Sequence, residues 1–397
     1  PATRADAVSS NLSFTCTTFN DNKGSGAEAT QERTMALVRT SPTTGFYFDL
    51  YRSNSSLSGE YHDYLYHNIG TSLTVEDSTG TPLTFTSAPN RFVNDTDGNK
   101  SPGWGFLLDP KATGTVTDSV RAQFATPFSG SPTIYMNMHI PGDSAREYAT
   151  AMGPSDGEHP SPYHNKDIPT LIVRRNGEAW NNPFAVIFEP HEDGVDGGTV
   201  QSVTSLKNGS KVVGMKVENM IDGRAVTHYI IANTGASDTY TDATAGFSFT
   251  GRFGIVADFG IDDLELYIGD GSSISYGEYS ITSVSGNTQA SMLIRPGQEA
   301  VVNANDPVTT TQSSPVTSGL AAHWSLDEGS GIVAADATGH GFDGDLLNGV
   351  TWGSDAERGT YAVFDGTDDR ISTPFRYALA DTNNFTWAWW AKKAPAS

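Results

Sequence analysis

A chain of 397 residues is long enough for two or three domains with sizeable cores. Only 18% of residues are charged and 41 are glycine, and no long segment carries helical periodicity, so helix-rich classes are excluded. The formal charge of −22 argues against nucleic acid as a partner, and no run of eighteen apolar residues offers a membrane span.

The first strand expected is Leu12–Phe19, in which the single cysteine, Cys16, serves as a small buried hydrophobe. Thr34–Val38 and Gly45–Tyr51 predict a hairpin turning at Ser41-Pro42-Thr43-Thr44. Short strands follow at Leu73–Glu76, Gly105–Leu108, Arg121–Phe124, Thr133–Ile140, Thr170–Arg174 and Phe184–Glu189. From Gly198 to Arg295 the strand signals are almost continuous, with clear alternation in Thr227–Ile231 and Phe247–Phe249. So many strands without helices predict an all-β protein whose residues 1–305 form a large antiparallel two-sheet β-sandwich. Residues 306–318, rich in Thr, Ser and Pro, read as a linker. Residues 319–397 begin a second β-domain.

That second domain carries His323-Trp324-Ser325-Leu326-Asp327-Glu328-Gly329, then Asp336-Ala337-Thr338-Gly339, then Val363-Phe364-Asp365-Gly366. These stretches resemble the opening of a laminin-G-like (concanavalin-type) jelly roll. A complete jelly roll has more strands than residues 319–397 supply, and Trp387, Trp389 and Trp390 would then stand at an open edge. The domain is therefore expected to be truncated. The resemblance implies calcium binding through loop acids such as Asp327, Asp336, Asp343, Asp345, Asp365, Asp368 and Asp369, although turn chemistry accounts for most of them.

Three stretches of the first domain resemble the later part of heparinase II/III-like polysaccharide lyases. One is Arg33 followed by Gly45–Arg52 and Glu60-Tyr61-His62-Asp63-Tyr64-Leu65-Tyr66-His67. The others are Ile168–Arg175 and Asn182–Pro190. The resemblance implies a β-supersandwich that follows a helical toroid, and cleavage of a uronate-containing acidic polysaccharide by β-elimination. The toroid, which holds most of the family's catalytic groups, would lie upstream. A secreted or cell-surface location fits both the charge and that substrate. The alternative is a non-catalytic carbohydrate-binding or adhesion protein of tandem sandwiches, or one using its sandwiches as spacers.

β-Elimination needs a group that neutralises the uronate carboxylate, a base for the C5 proton and an acid for the leaving oxygen. The candidates for proton transfer are Tyr64 and His67, in the Tyr61–His67 cluster, and Tyr163 and His164, in the polar loop 153–167. The same cluster also reads as a packed aromatic strand. Candidate substrate-binding cations are Arg33, Arg52, Lys166, Arg174 and Arg175, of which the four arginines could build a basic patch on an acidic protein. Asp156, Glu158 and His159 could instead hold a divalent cation, calcium or zinc, and a plain exposed loop is the third reading. Glu189-Pro190-His191-Glu192-Asp193 is either a cation site or a solvated strand end.

Overall fold

The computed structural model describes residues 8–21, 29–57, 59–92, 105–142, 144–154, 157–192, 198–260, 263–296, 298–311, 321–355, 359–375, 389 and 391. Every regular element among them is a β-strand, and the paired strands run antiparallel. The chain divides into two compact units, Pro1–Gln312 and Ser313–Ser397.

Among its described residues, the first unit holds three sheets. The central one runs Leu12–Asp21, Ala29–Arg39, Gly45–Ser55, Ala179–Glu192, Ile134–Ile140, Val120–Thr126, Ser72–Asp77 in hydrogen-bonding order. The strand Ala179–Glu192 shows why this sheet is the middle layer. Phe184, Val186 and Phe188 enter a core shared with the five-stranded sheet, while Ala185 and Ile187 enter a core shared with the ten-stranded sheet. A strand buried on both faces reads as a continuous apolar run, and Phe184-Ala185-Val186-Ile187-Phe188 is one. The sandwich expected from the sequence is thus built with a third sheet. Its five strands run Tyr61–His67, Ile168–Asn176, Arg146–Gly153, Leu108–Val116 and Thr86–Ser87.

The ten-stranded sheet buries both faces as well. One packs on the central sheet, and the other forms a core of its own around Ile231, Phe249, Leu266, Ile268 and Met292. Its longest strands, Phe247–Asp258 and Leu264–Tyr276, lose register around Gly251 and Gly271. A Cβ on Gly251 would lie 2.3 Å from the Gly271 Cα, so the two backbones approach as only glycines allow.

The hairpin at Ser41–Thr44 forms as expected, with the Ser41 hydroxyl accepting from the Thr43 and Thr44 N–H groups. Other expectations shift. Gly105–Leu108 is not a strand; the pairing starts at Leu108 and runs to Val116, through a Pro and a Gly that masked it. Arg146–Gly153 is a central strand that small residues hid from the pattern. Val308–Thr311, read as linker, pairs with Tyr279–Ser283 and belongs to the first unit. Threonine, which suits both a linker and a pleated edge, made that stretch ambiguous.

In the second unit the described strands form a small sheet (Val333–Ala334, Gly344–Leu347, Arg370–Ser372) and a hairpin (Thr351–Asp355, Gly359–Val363). Asp336 organises its first turns, accepting from the N–H groups of His323, Thr338 and Phe342 and from the Thr338 hydroxyl. Burial works to raise the pKa of this carboxyl, but those four donors hold it well below the usual range. Trp389 is exposed, and Trp387 and Trp390 lie outside the described residues.

Candidate active site

The expected proton-transfer groups occupy different places. Tyr64 sits in the core between the five-stranded and central sheets, where its hydroxyl donates to Asp49 Oδ2 at 2.6 Å. Burial and the Asp49 charge push that phenol far above its ordinary range, so it stays protonated and anchored. Tyr64, expected to transfer protons, is thus placed as a buried donor to Asp49. Tyr163 is also buried, donating to the Pro127 carbonyl at 2.5 Å, and burial raises its pKa as well. It ties its own stretch, residues 157–167, to Pro127, just after the strand Val120–Thr126. His67 and His164 are exposed.

Each of the four arginines expected to meet substrate has partners within the protein. Arg33 holds the buried Asp49 through Nε and Nη2, at 3.0 and 2.6 Å. Arg52 projects from the opposite face of the same sheet. Its guanidinium donates to the carbonyls of Trp180, Val212 and Ala232 and lies 3.6 Å from Glu32, so it fastens the central sheet to the ten-stranded one. Arg174 makes a two-point contact with Asp63 and stacks 3.5 Å over Tyr61. Arg175 binds the Glu178 carbonyl and the Ser144 hydroxyl. Lys166 is exposed, with its ammonium 5.9 Å over the Tyr163 ring.

Of the expected metal ligands, Asp156 lies outside the described residues, Glu158 is exposed and His159 is half-buried. Among the described residues, the group of acids and histidines close enough to share one ion is Asp365, Asp368 and Asp369, in the second unit. Its oxygen donors suit calcium better than zinc.

A different constellation lies on the central sheet, on the face that turns from the aromatic core. Directly opposed residues of antiparallel strands share a face. The pairing stacks three such ranks: Glu76, Arg121, His139 and Ile187; Thr74, Gln123, Asn137 and Glu189; Ser72, Ala125, Tyr135 and His191. The alternate residues Ala122, Phe124 and Met138 fill the core behind. One strand thus carries Tyr135, Asn137 and His139 on this face, the last two buried, and Met136, Met138 and Ile140 on the other. The alternation was present in the text of Thr133–Ile140, but its polar partners come from strands 14 to 56 residues away.

The ranks are tied together. His139 Nε2 lies 3.1 Å from Glu189 Oε2, and Gln123 donates to Asn137 Oδ1 at 3.0 Å. Arg121 bonds Glu76 at 2.7 Å, and the Tyr135 and His191 rings stack with centroids 5.0 Å apart. Glu189 Oε1 accepts from the N–H groups of Thr199 and Val200 and from the Thr199 hydroxyl. Burial would raise the Glu189 pKa, but the His139 hydrogen bond and charge, with those two N–H groups, bring it down to about 2. Glu189 thus orients the His139 ring through Nε2. Behind it, Thr199 Oγ1 lies 3.4 Å from Asn219 Oδ1, and the Asn219 amide lies 3.0 Å from Nδ1 of the fully buried His228.

Chemically, this face offers a phenol, two imidazoles, two amides and a guanidinium within three ranks. Those are the group types that β-elimination at a uronate uses for proton transfer and carboxylate neutralisation.

Residues 200–294 match the family model described as the endo-acting ulvan lyase C-terminal domain. That match falls on the ten-stranded sheet, beginning beside Glu189. Over 260 residues, 65% of the chain, the sequence is 35% identical to a Formosa agariphila protein described as an endo-acting ulvan lyase. The chain spans 31% of that relative's length. Both likenesses support kinship with the C-terminal part of a polysaccharide lyase. Among the described residues, no helix is long and apolar enough to cross a membrane.

Proposed function

We propose that this chain is part of a secreted polysaccharide lyase that cleaves ulvan, or a similar uronate-bearing acidic polysaccharide, by β-elimination. The observation that carries the reading is the three-rank polar face, which gathers Arg121, Gln123, Tyr135, Asn137, His139 and His191. The likeness to an endo-acting ulvan lyase supports the substrate class.

In this reading the amides of Gln123 and Asn137, with Arg121, neutralise the carboxylate and so acidify the C5 proton. Tyr135 and His191, half-buried and stacked near the ends of their strands, exchange protons with C5 and the leaving oxygen. His139, oriented by Glu189, sets the charge beneath them. A helical domain upstream would close the other side of the cleft, and the second unit would attach the enzyme to carbohydrate.

The test is the ultraviolet band of the unsaturated uronate while the chain is incubated with ulvan. A rise that is lost in Tyr135→Phe and in His191→Ala, but kept in Tyr163→Phe, supports the reading. A rise that survives Tyr135→Phe and His191→Ala removes these residues from the chemistry. No rise in any condition refutes catalysis by this chain.

A further inference from the structure

The strand Val200–Asn208 has the polar face at its first end and a cavity at its last. Eight residues of extended chain separate them by roughly 26 Å. The cavity encloses about 170 Å³. At ~30 Å³ per water that is room for about five or six waters, or for one sugar ring and no more.

Its floor includes Asn233, which is 4% exposed. The Asn233 amide nitrogen donates to the carbonyls of Gly251 (2.8 Å) and Asp238 (3.3 Å). Its oxygen is buried and has no hydrogen-bond partner among the described residues. An acceptor left that way is destabilising unless something donates to it. Around the rim stand the exposed Lys211, Asn208 and Asp238, with Asn181 partly covered. The Asp238 carboxylate is held by the Gly235 N–H at 2.9 Å, and the Asn208 amide is held on the Thr239 carbonyl at 2.9 Å. These rim groups are therefore positioned before any ligand arrives.

We infer that this cavity is a second saccharide site, seating one ring of an acidic sugar away from the polar face. A ring hydroxyl donates to Asn233 Oδ1, the amides of Asn181 and Asn208 meet neighbouring hydroxyls, and Lys211 takes the carboxylate or sulfate. Mixed donors and acceptors, with Lys211 at the rim and the buried Arg52 guanidinium in the lining, fit a hydroxylated anion. A phosphate would ask for converging N–H groups, and an apolar ligand would leave Asn233 unpartnered. The identity of the sugar as part of an acidic polysaccharide rests on the proposed function; the site itself does not.

The experiment is calorimetric titration of the chain with glucuronate oligosaccharides and with their carboxyl-reduced counterparts, alongside hydrogen exchange. Lys211 and Asn208 are exposed, so Lys211→Gln and Asn208→Ala leave the fold intact. Expected are an affinity about tenfold weaker in Lys211→Gln, a similar loss for the carboxyl-reduced sugar, and slowed exchange at residues 208–213 and 232–239. Tyr135→Phe is expected to keep this binding. Equal affinity for both sugars in both variants, or protection confined to residues 120–140 and 187–200, overturns the inference. Loss of cleavage with retained Lys211-dependent binding would sink the lyase reading alone.

Discussion

Gly198 sits against the Glu189 carboxylate so closely that a Cβ would lie 2.8 Å from Oε2 and 3.2 Å from the Asn137 amide. Its φ of +85° is also one that side chains disfavour. The turn that brings the Thr199 and Val200 N–H groups onto Glu189 therefore depends on glycine for two separate reasons. Gly198→Ala is expected to lose ~1–3 kcal/mol, read as a lower urea midpoint. The Glu189–His139 geometry should loosen with it. An unchanged midpoint would show that the turn relaxes freely.

Acid should destabilise the first unit in two stages. His228 is pushed down by burial from 6.5 to about 3, so it stays neutral while the unfolded chain takes up a proton. Its contribution is full above pH 6.5 and is lost as pH falls toward 3. Glu189, lowered from 4.5 to about 2, adds a second limb, full above 4.5 and lost as pH falls through 2. At 1.36 kcal/mol per pH unit, the second limb is worth about 3 kcal/mol. Stability curves from pH 8 to 2 should show Glu189→Gln flattening the lower limb only, and His228→Phe the upper one.

Tyr64→Phe removes the hydroxyl that donates to a fully buried Asp49 and leaves Arg33 as the partner of that carboxylate. A hydrogen bond to a charged group contributes ~1.5–3 kcal/mol. The expected result is a thermal midpoint several degrees lower with the polysaccharide chemistry unchanged. If turnover falls while the midpoint holds, Tyr64 touches substrate after all.

Arg52→Leu should be the most damaging of these changes. It leaves Glu32 facing Arg252 alone and strips three carbonyls of their donor. Breaking a buried ion pair costs about 3–5 kcal/mol. Arg52→Lys should not restore the loss, because an ammonium cannot reach carbonyls on both sheets in the fixed fork of a guanidinium. Chemical denaturation of both variants decides this; a lysine that restores the wild-type midpoint would refute the clamp.

Much of the fold was legible because strand formation follows local pattern. Phe184–Glu189 announced a strand and Ser41–Thr44 announced its turn, while the burial of Phe184–Phe188 on both faces emerged only with the third sheet. Strands with Pro, Gly or Ala at inward positions, such as Leu108–Val116 and Arg146–Gly153, gave no such signal, since their burial is decided by what packs on them.

The candidate site was less legible for a related reason. Aromatic and basic residues stood out in the text, and Tyr64, Tyr163, Arg33 and Arg52 drew attention by their type. Whether such a group meets substrate or a buried partner depends on the sheet face it takes and on what covers that face. Arg33 and Arg52 lie on neighbouring strands of one sheet, yet their side chains enter opposite layers. The sequence by itself determined the all-β class, the position of most strands and the alternation Tyr135-x-Asn137-x-His139. Only the tertiary structure decided that Gln123, Glu189 and His191 stand beside those residues. Cross-strand register is set by pairings across 14 to 56 residues, where no local periodicity reaches.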